Sequence, residues 1–175
     1  SVLDIGCAYG PFLAAARDAG LVPYGVDVAP EAVRHVTDEL GIPAACGDFV
    51  DLDLEGALGR SRFDVITLWY VIEHFDRLDV VMSKLADSVV PGGVLAFSTP
   101  HGAGVSARRS PDRFYRDSPR DHYSIWDRRS AERLLGEYGF SVEGCVITGH
   151  HPERYPLVRR GVLPRSIASV HSRVF

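Results

Sequence analysis

Cysteine is scarce in this 175-residue chain. There are three, Cys7, Cys46 and Cys145, far apart and with no CxxC spacing. That excludes a disulfide framework and argues against a structural zinc site, leaving buried, reduced thiols of a cytoplasmic protein as the expected state. Long apolar runs are missing too: none reaches the roughly 18 residues a membrane helix needs, so no membrane partner is expected. The chain has no signal-peptide pattern, internal repeat or low-complexity tract. It also lacks an initiator methionine, opening directly on Ser1-Val2-Leu3-Asp4-Ile5. A natural N-terminal segment ahead of residue 1 is therefore expected.

What is present suits one domain spanning residues 1–175. Hydrophobic residues make up 46%, enough to bury a sizeable core. The net charge of -4 is uneven: residues 1–97 carry 15 acidic and 6 basic groups, and residues 98–175 carry 8 acidic and 13 basic ones. Two readings stand, partners of opposite sign for the two halves or two ordinary solvated surfaces.

Strand-like and helix-like stretches alternate. Val2–Ile5 predicts a strand, and Pro11–Ala19 a helix stopped by Gly20. Tyr24–Val28 predicts a second strand, and Pro30 opens a helix running to Leu40 with Gly41 at its end. Ala44–Cys46 and Phe63–Trp69 predict the third and fourth strands. Asp76 is positioned to cap a helix carrying Leu78, Val81, Met82, Leu85 and Val89. Pro91-Gly92-Gly93 then turns the chain into a fifth strand, Val94–Ser98. After an irregular stretch, Asp127 or Ser130 starts a helix ended by Gly139, and Val142–Thr148 predicts a sixth strand. This order implies a doubly wound α/β fold with a mainly parallel sheet and helices on both faces. Ligands of such sheets sit beyond the C-terminal strand ends, where strand order reverses.

The first strand runs into Asp4-Ile5-Gly6-Cys7-Ala8-Tyr9-Gly10-Pro11. A glycine turn between strand and helix brings backbone N–H groups close to a ligand. The dinucleotide fingerprint G-x-G-x-x-G is not met: counted from Gly6, its second and third glycine places hold Ala8 and Pro11, which disfavours a nicotinamide oxidoreductase. The loop instead resembles D/E-x-G-x-G-x-G, the first motif of class I S-adenosylmethionine-dependent methyltransferases, with Ala8 in place of the middle glycine. Two further aspartates end successive strands, Asp27 in Gly25-Val26-Asp27-Val28 and Asp48 in Cys46-Gly47-Asp48-Phe49. Asp27 lies 21 residues beyond Gly6, near the separation at which an acidic residue reaches ribose hydroxyls. Phe63–Trp69, then Glu73-His74, Pro91-Gly92-Gly93 and Gly139-Phe140, look like the branch of ubiquinone-biosynthesis and small-molecule O-methyltransferases. The likeness covers residues 1–148 and implies a seven-stranded fold, for which Ala168–Phe175 is the candidate last strand.

The resemblance implies S-adenosyl-L-methionine as cofactor and S-adenosyl-L-homocysteine as product. It implies that Asp4, Gly6, Cys7, Ala8 and Gly10 hold the methionine and ribose, and Asp27 and Val28 the ribose hydroxyls. Asp48 accepts from the adenine amino group, Phe49 lies against the ring, and Leu68 and Trp69 flank the cofactor from the fourth strand. A hydroxyl acceptor must lose its proton, and histidine is the usual agent near neutral pH. His74 is the first candidate base and His122 the second. Glu73-His74 has the alternative role of organising a turn. Residues 100–128 form a connection longer than ordinary and are expected to be an acceptor-side lid. Arg108, Arg109, Arg113, Arg116 and Arg120 within it suggest an anionic small-molecule acceptor, or else surface charges paired with Asp112, Asp117 and Asp121.

No metal is assigned, the adjacent His150 and His151 having no further ligands at recognisable spacing. Two alternatives remain. One is an RNA 2′-O-methyltransferase holding a divalent metal through Glu73, His74 and His122. The further glutamate of that family is Tyr70 here, and a pI near 5.9 disfavours nucleic acid. The other is a non-catalytic cofactor-binding module.

Overall fold

Every position of Val2–Ile5 is buried, and a strand buried on both faces belongs in the middle of a sheet. The computed structural model describes residues 1–146, and in it this segment is the central strand β1 (Val2–Ile5). One edge of β1 pairs with β2 (Pro23–Asp27) and the other with β4 (Phe63–Trp69). β3 (Ala44–Cys46) lies beyond β2 and β5 (Val89–Ser98) beyond β4, giving the order β3-β2-β1-β4-β5 with every pair parallel. The chain thus steps outward from β1 to β3, then crosses back to build the other half. The reversal falls between β1 and β4, where an open α/β sheet has its ligand crevice.

Four helices connect these strands: α1 (Pro11–Asp18), α2 (Pro30–Arg34), α3 (Leu54–Leu58) and α4 (Leu78–Ser88). α1 lies on β1 and β2, α2 on β2 and β3, and α4 against β5. Cys7, Leu13, Val36 and Ile42 form one buried cluster with Leu40 and Ala44 packed against it. The expected α/β architecture with a parallel sheet is therefore present, and five strands of it lie among the described residues.

Several local expectations need correction. The helix from Pro30 does not continue as one α-helix: His35–Glu39 widens into a π-turn, with Leu40 N–H donating to the His35 carbonyl. The wider turn brings both Val36 and Leu40 against Gly10. Asp76 does not cap α4. Arg77 holds the N-cap position without a side-chain bond, because the 3-10 turn Ile72–His74 and the extended Phe75 start the helix later. Val89 begins β5 instead of ending α4, and Pro91-Gly92-Gly93 lies inside that strand. A register shift opposite Phe63 and Val65 accommodates it, since a proline without an N–H is tolerated at an edge irregularity. The short α3 had no strong periodicity to announce it.

The chain divides into two compact units, Ser1–Thr99 and Pro100–Phe175. In the second, the connection expected to be irregular contains α5 (Val105–Arg109) and α6 (Pro111–Arg116), the latter opened by proline. α7 (Arg128–Glu137) has a reciprocal cap: Ser130 N–H donates to Asp127 Oδ1 at 2.8 Å and Asp127 N–H to Ser130 Oγ at 3.0 Å. Residues 141–146 form no strand, and the rest of Val142–Thr148, His150-His151 and Ala168–Phe175 lie outside the described residues. No described helix is long and apolar enough to cross a membrane.

Gly10 has φ +75°, and a Cβ there would stand 2.7 Å from Leu40 Cδ1 and 2.9 Å from Val36 Cγ2. The Gly10→Ala variant is expected to lose about 2 kcal/mol from left-handed strain and overpacking. Urea unfolding checks this, and an unchanged midpoint would rule the packing argument out.

Candidate cofactor site

Parallel register brings four strand ends to one edge of the sheet. Ile5 pairs with Val26 and with Leu68, and Asp27 pairs with Cys46. The segments that follow, Gly6–Gly10, Val28-Ala29, Gly47-Asp48 and Tyr70-Val71, therefore leave the sheet side by side.

The glycine loop is held by the strand next to it. Gly6 and Cys7 N–H groups both donate to the Val26 carbonyl, at 2.7 and 3.1 Å. Gly6, Ala8 and Gly10 all have positive φ. The Asp27 carboxylate closes the loop: Oδ2 accepts from Ala8 N–H at 2.8 Å, and Oδ1 from Ala29 N–H at 2.9 Å. A carboxylate offers about four lone-pair directions, so each Asp27 oxygen retains one for a ligand hydroxyl. Gly6 also has a packing reason to be glycine, since a Cβ there would collide with the Val71 side chain.

Asp4 is almost fully buried, at 2% exposure. It pairs across β1–β4 with Thr67, whose hydroxyl donates to Asp4 Oδ1 at 2.6 Å. Burial lifts this carboxyl from its ordinary 3.8 to about 6, against the lowering by the Thr67 bond and with a further push from Asp27. Thr67 went unnoticed in the sequence, although a lone hydroxyl inside the apolar run Phe63–Trp69 was a usable signal. Cys7 is buried in the loop's core cluster, and burial, then Asp27 and Asp4, push its thiol up to about 12. It is a protonated packing residue.

Asp48 is exposed and its Oδ1 accepts from Val50 N–H at 2.9 Å, shaping the turn after β3. Phe49, at 2% exposure, packs inward with the Lys84 ammonium 5.1 Å from its ring centre. Leu68 is fully buried, so at that position the main chain alone reaches the strand end. Val28, Trp69, Tyr70 and Tyr9 are exposed around the same edge, Trp69 meeting Phe12 edge to face at 5.4 Å. Tyr70 has φ +59° and its N–H donates to the Ser98 carbonyl, a strained turn that directs the chain away from β4. His74 is exposed in the 3-10 turn that follows, its N–H donating to the Val71 carbonyl. Glu73 beside it is buried, with Oε2 lacking a hydrogen bond among the described residues. His122 belongs to the second unit, in the turn after α6 with its N–H on the Pro119 carbonyl. His101 is in that unit too, accepting through Nδ1 from Ala103 N–H at 3.1 Å.

A family model described as a methyltransferase domain matches residues 1–144. The chain belongs to this family. It is a class I, S-adenosylmethionine-dependent methyltransferase domain in fold and sequence. Among curated relatives, the ubiquinone biosynthesis O-methyltransferase of Nitrobacter winogradskyi is 31% identical over 103 residues, covering 56% of this chain and 38% of the relative. That of Ralstonia nicotianae is 32% identical over 103 residues, covering 57% and 43%. The matches thus span about two-fifths of those relatives' length. In fold, the methyltransferase domain superposes on a SAM-dependent methyltransferase from Archaeoglobus fulgidus with TM-score 0.66 and 17% identity, over 98% of this chain and 75% of that one. It also superposes on Haemonchus contortus phosphoethanolamine N-methyltransferase 2 in complex with S-adenosyl-L-methionine, with TM-score 0.64 and 20% identity, over 91% and 37%.

Asp4 makes the methyltransferase domain's stability depend on pH. Below about pH 4 Asp4 is protonated in both folded and unfolded states. Between about 4 and 6 the unfolded chain ionises first, so stability falls as pH rises, and above 6 the loss is complete. The shift from 3.8 to about 6 corresponds to about 3 kcal/mol. Urea unfolding of wild type and Asp4→Asn at pH 4, 5 and 6 should show the variant's slope flatter by that amount. Parallel slopes would mean that Asp4 titrates normally.

Proposed function

We propose that this domain binds S-adenosyl-L-methionine across the C-terminal ends of β1, β2 and β3 and moves its methyl group to an oxygen of a small, anionic acceptor. The observation that carries the reading is the alignment of three carboxylates, Asp4, Asp27 and Asp48, at the ends of three adjacent strands, beside a loop built on Gly6 and Gly10. The donor set fits the cofactor. S-adenosylmethionine offers an ammonium, a ribose diol and an adenine amino group, all hydrogen-bond donors, and the site offers carboxylate acceptors. Asp4 takes the ammonium, the two remaining Asp27 positions take the ribose hydroxyls, and Asp48 takes the adenine amino group. Cys7, Ala8 and Val28 contribute backbone and surface around the ribose, and Trp69 with the Leu68 main chain flanks the methionine side, while Phe49, expected against the ring, packs inward and contributes there through its backbone alone.

The bound cofactor supplies an electrophilic methyl on a sulfonium. The domain's share of the work is to hold the acceptor oxygen in line with the methyl–sulfur bond, so positioning supplies much of the rate. The new carbon–oxygen bond forms as the carbon–sulfur bond breaks, the sulfur leaving as a neutral thioether. The acceptor's proton passes to a base. His74, exposed in the 3-10 turn after β4, is the first candidate, with His122 the second. Relatives named as O-methyltransferases support oxygen as the acceptor atom. The arginines of α5, α6 and the turn after them support an anionic acceptor, with Arg113 already paired to Asp117 at 3.0 Å. Residues 1–175 are one catalytic domain in this reading. Only Cys7 is buried as expected, Cys46 and Cys145 being exposed on the surface, and three unpaired cysteines favour a cytoplasmic setting.

Calorimetric titration of S-adenosylhomocysteine should give saturable binding, while NAD gives none. Since the ammonium needs the ionised form of Asp4, affinity should fall about tenfold per pH unit below about 6, and Asp4→Asn should flatten that dependence. NAD binding without S-adenosylhomocysteine binding overturns the proposal.

A further inference from the structure

The turn after β3 is fastened to α4 by a side chain that the site itself does not use. Lys84 projects from the middle of α4 and donates through Nζ to the Val50 carbonyl at 3.1 Å and to the Leu52 carbonyl. Its ammonium also stands over the Phe49 ring, 5.1 Å from the centroid. A second tie lies at the start of α4, where Arg77 Nη2 at the N-cap meets Asp51 Oδ1 at 3.3 Å on the surface. Within the turn, Asp48 is the anchor: its carbonyl accepts from Asp51 and Leu52 N–H and its Oδ1 from Val50 N–H. Every residue from Phe49 to Leu52 is thereby bound either to Asp48 or to α4.

A half-buried lysine is still a costly way to support an ordinary loop. Burial depresses the Lys84 ammonium, and the nearby carboxylates Asp51, Asp53 and Asp48 counteract that. A methionine or leucine would fill similar volume without desolvating a charge. What the ammonium offers that an apolar chain does not is direction. It draws two carbonyls and an aromatic face to one point, which fixes how the Asp48 carboxylate leaves the sheet edge.

We propose that Lys84 is a positioning residue that sets the purine selectivity of the cofactor site by orienting Asp48 toward the adenine amino group. The inference rests on the cofactor reading above. It adds a residue on α4, 36 positions away from Asp48 in the chain, that touches neither cofactor nor acceptor. Lys84 acts through the backbone of Val50 and Leu52, so its loss frees Asp48 without removing it.

The test compares two ligands on the 175-residue chain. One is S-adenosylhomocysteine. The other is its analogue with unsubstituted purine in place of adenine, which keeps the ring nitrogens but has no amino group. A hydrogen bond to a carboxylate makes wild type prefer the first by roughly tenfold or more. In Lys84→Met the preference should shrink to about threefold or less, through weaker binding of S-adenosylhomocysteine and unchanged binding of the purine analogue. Lys84→Gln, which keeps one donor for one carbonyl, should fall between, and it carries the test if the methionine variant does not fold. A merely structural role predicts that both ligands weaken together, and that outcome overturns the proposal. So does an undiminished preference in both variants. Wild type that binds neither ligand overturns the cofactor reading itself. Wild type that binds both ligands equally leaves cofactor binding standing and removes the Asp48 contact on which the role of Lys84 depends.

Discussion

The whole site depends on β1 being paired on both edges and buried on both faces. Because β2 and β4 share β1 as neighbour, the loop after β1 emerges between two other strand ends, and the reversal of strand order leaves a crevice there. The short loop then needs three successive departures from ordinary backbone geometry, at Gly6, Ala8 and Gly10. Such a loop persists because its surroundings over-determine it. Val26 accepts two of its N–H groups, Asp27 accepts a third, and Cys7 anchors its middle in the core.

The same arrangement concentrates negative charge. Asp4 and Asp27 lie on adjacent strands, and the Asp27 charge adds to the burial that lifts the Asp4 carboxyl. A protein selecting for stability alone has no reason to keep a buried carboxyl on its central strand. In the proposed cofactor reading it does have one, because a ligand ammonium recovers in binding what the folded chain loses in stability. Thr67 keeps Asp4 oriented in the meantime.

Much of this was legible in the chain itself. β1, β3 and β4 appear with the boundaries their apolar runs suggest, and Asp127 with Ser130 caps α7 as its residue types suggest. The misreadings cluster where local signals compete. Pro91-Gly92-Gly93 has the composition of a turn, yet an edge strand tolerates it at a register shift. Asp76 is a good cap by type, but the 3-10 turn before it displaces the helix start. The arginine-rich stretch read as irregular holds two helices too short for a periodicity of 3.6 to be seen.

The sequence by itself determined the order of elements, the parallel character of the sheet and the three aspartates at strand ends. These follow from hydrophobic periodicity and from glycine and proline chemistry, which act over a few residues. Tertiary structure alone decided what each side chain does. Asp27 reaches Ala8 across 19 positions, Thr67 reaches Asp4 across 63, and Lys84 reaches Val50 across 34. Phe49 and Cys7 turn into the core while their neighbours stay at the sheet edge. No local pattern encodes such pairings. They are set by strand register and helix packing, which emerge only when distant segments share one buried interior.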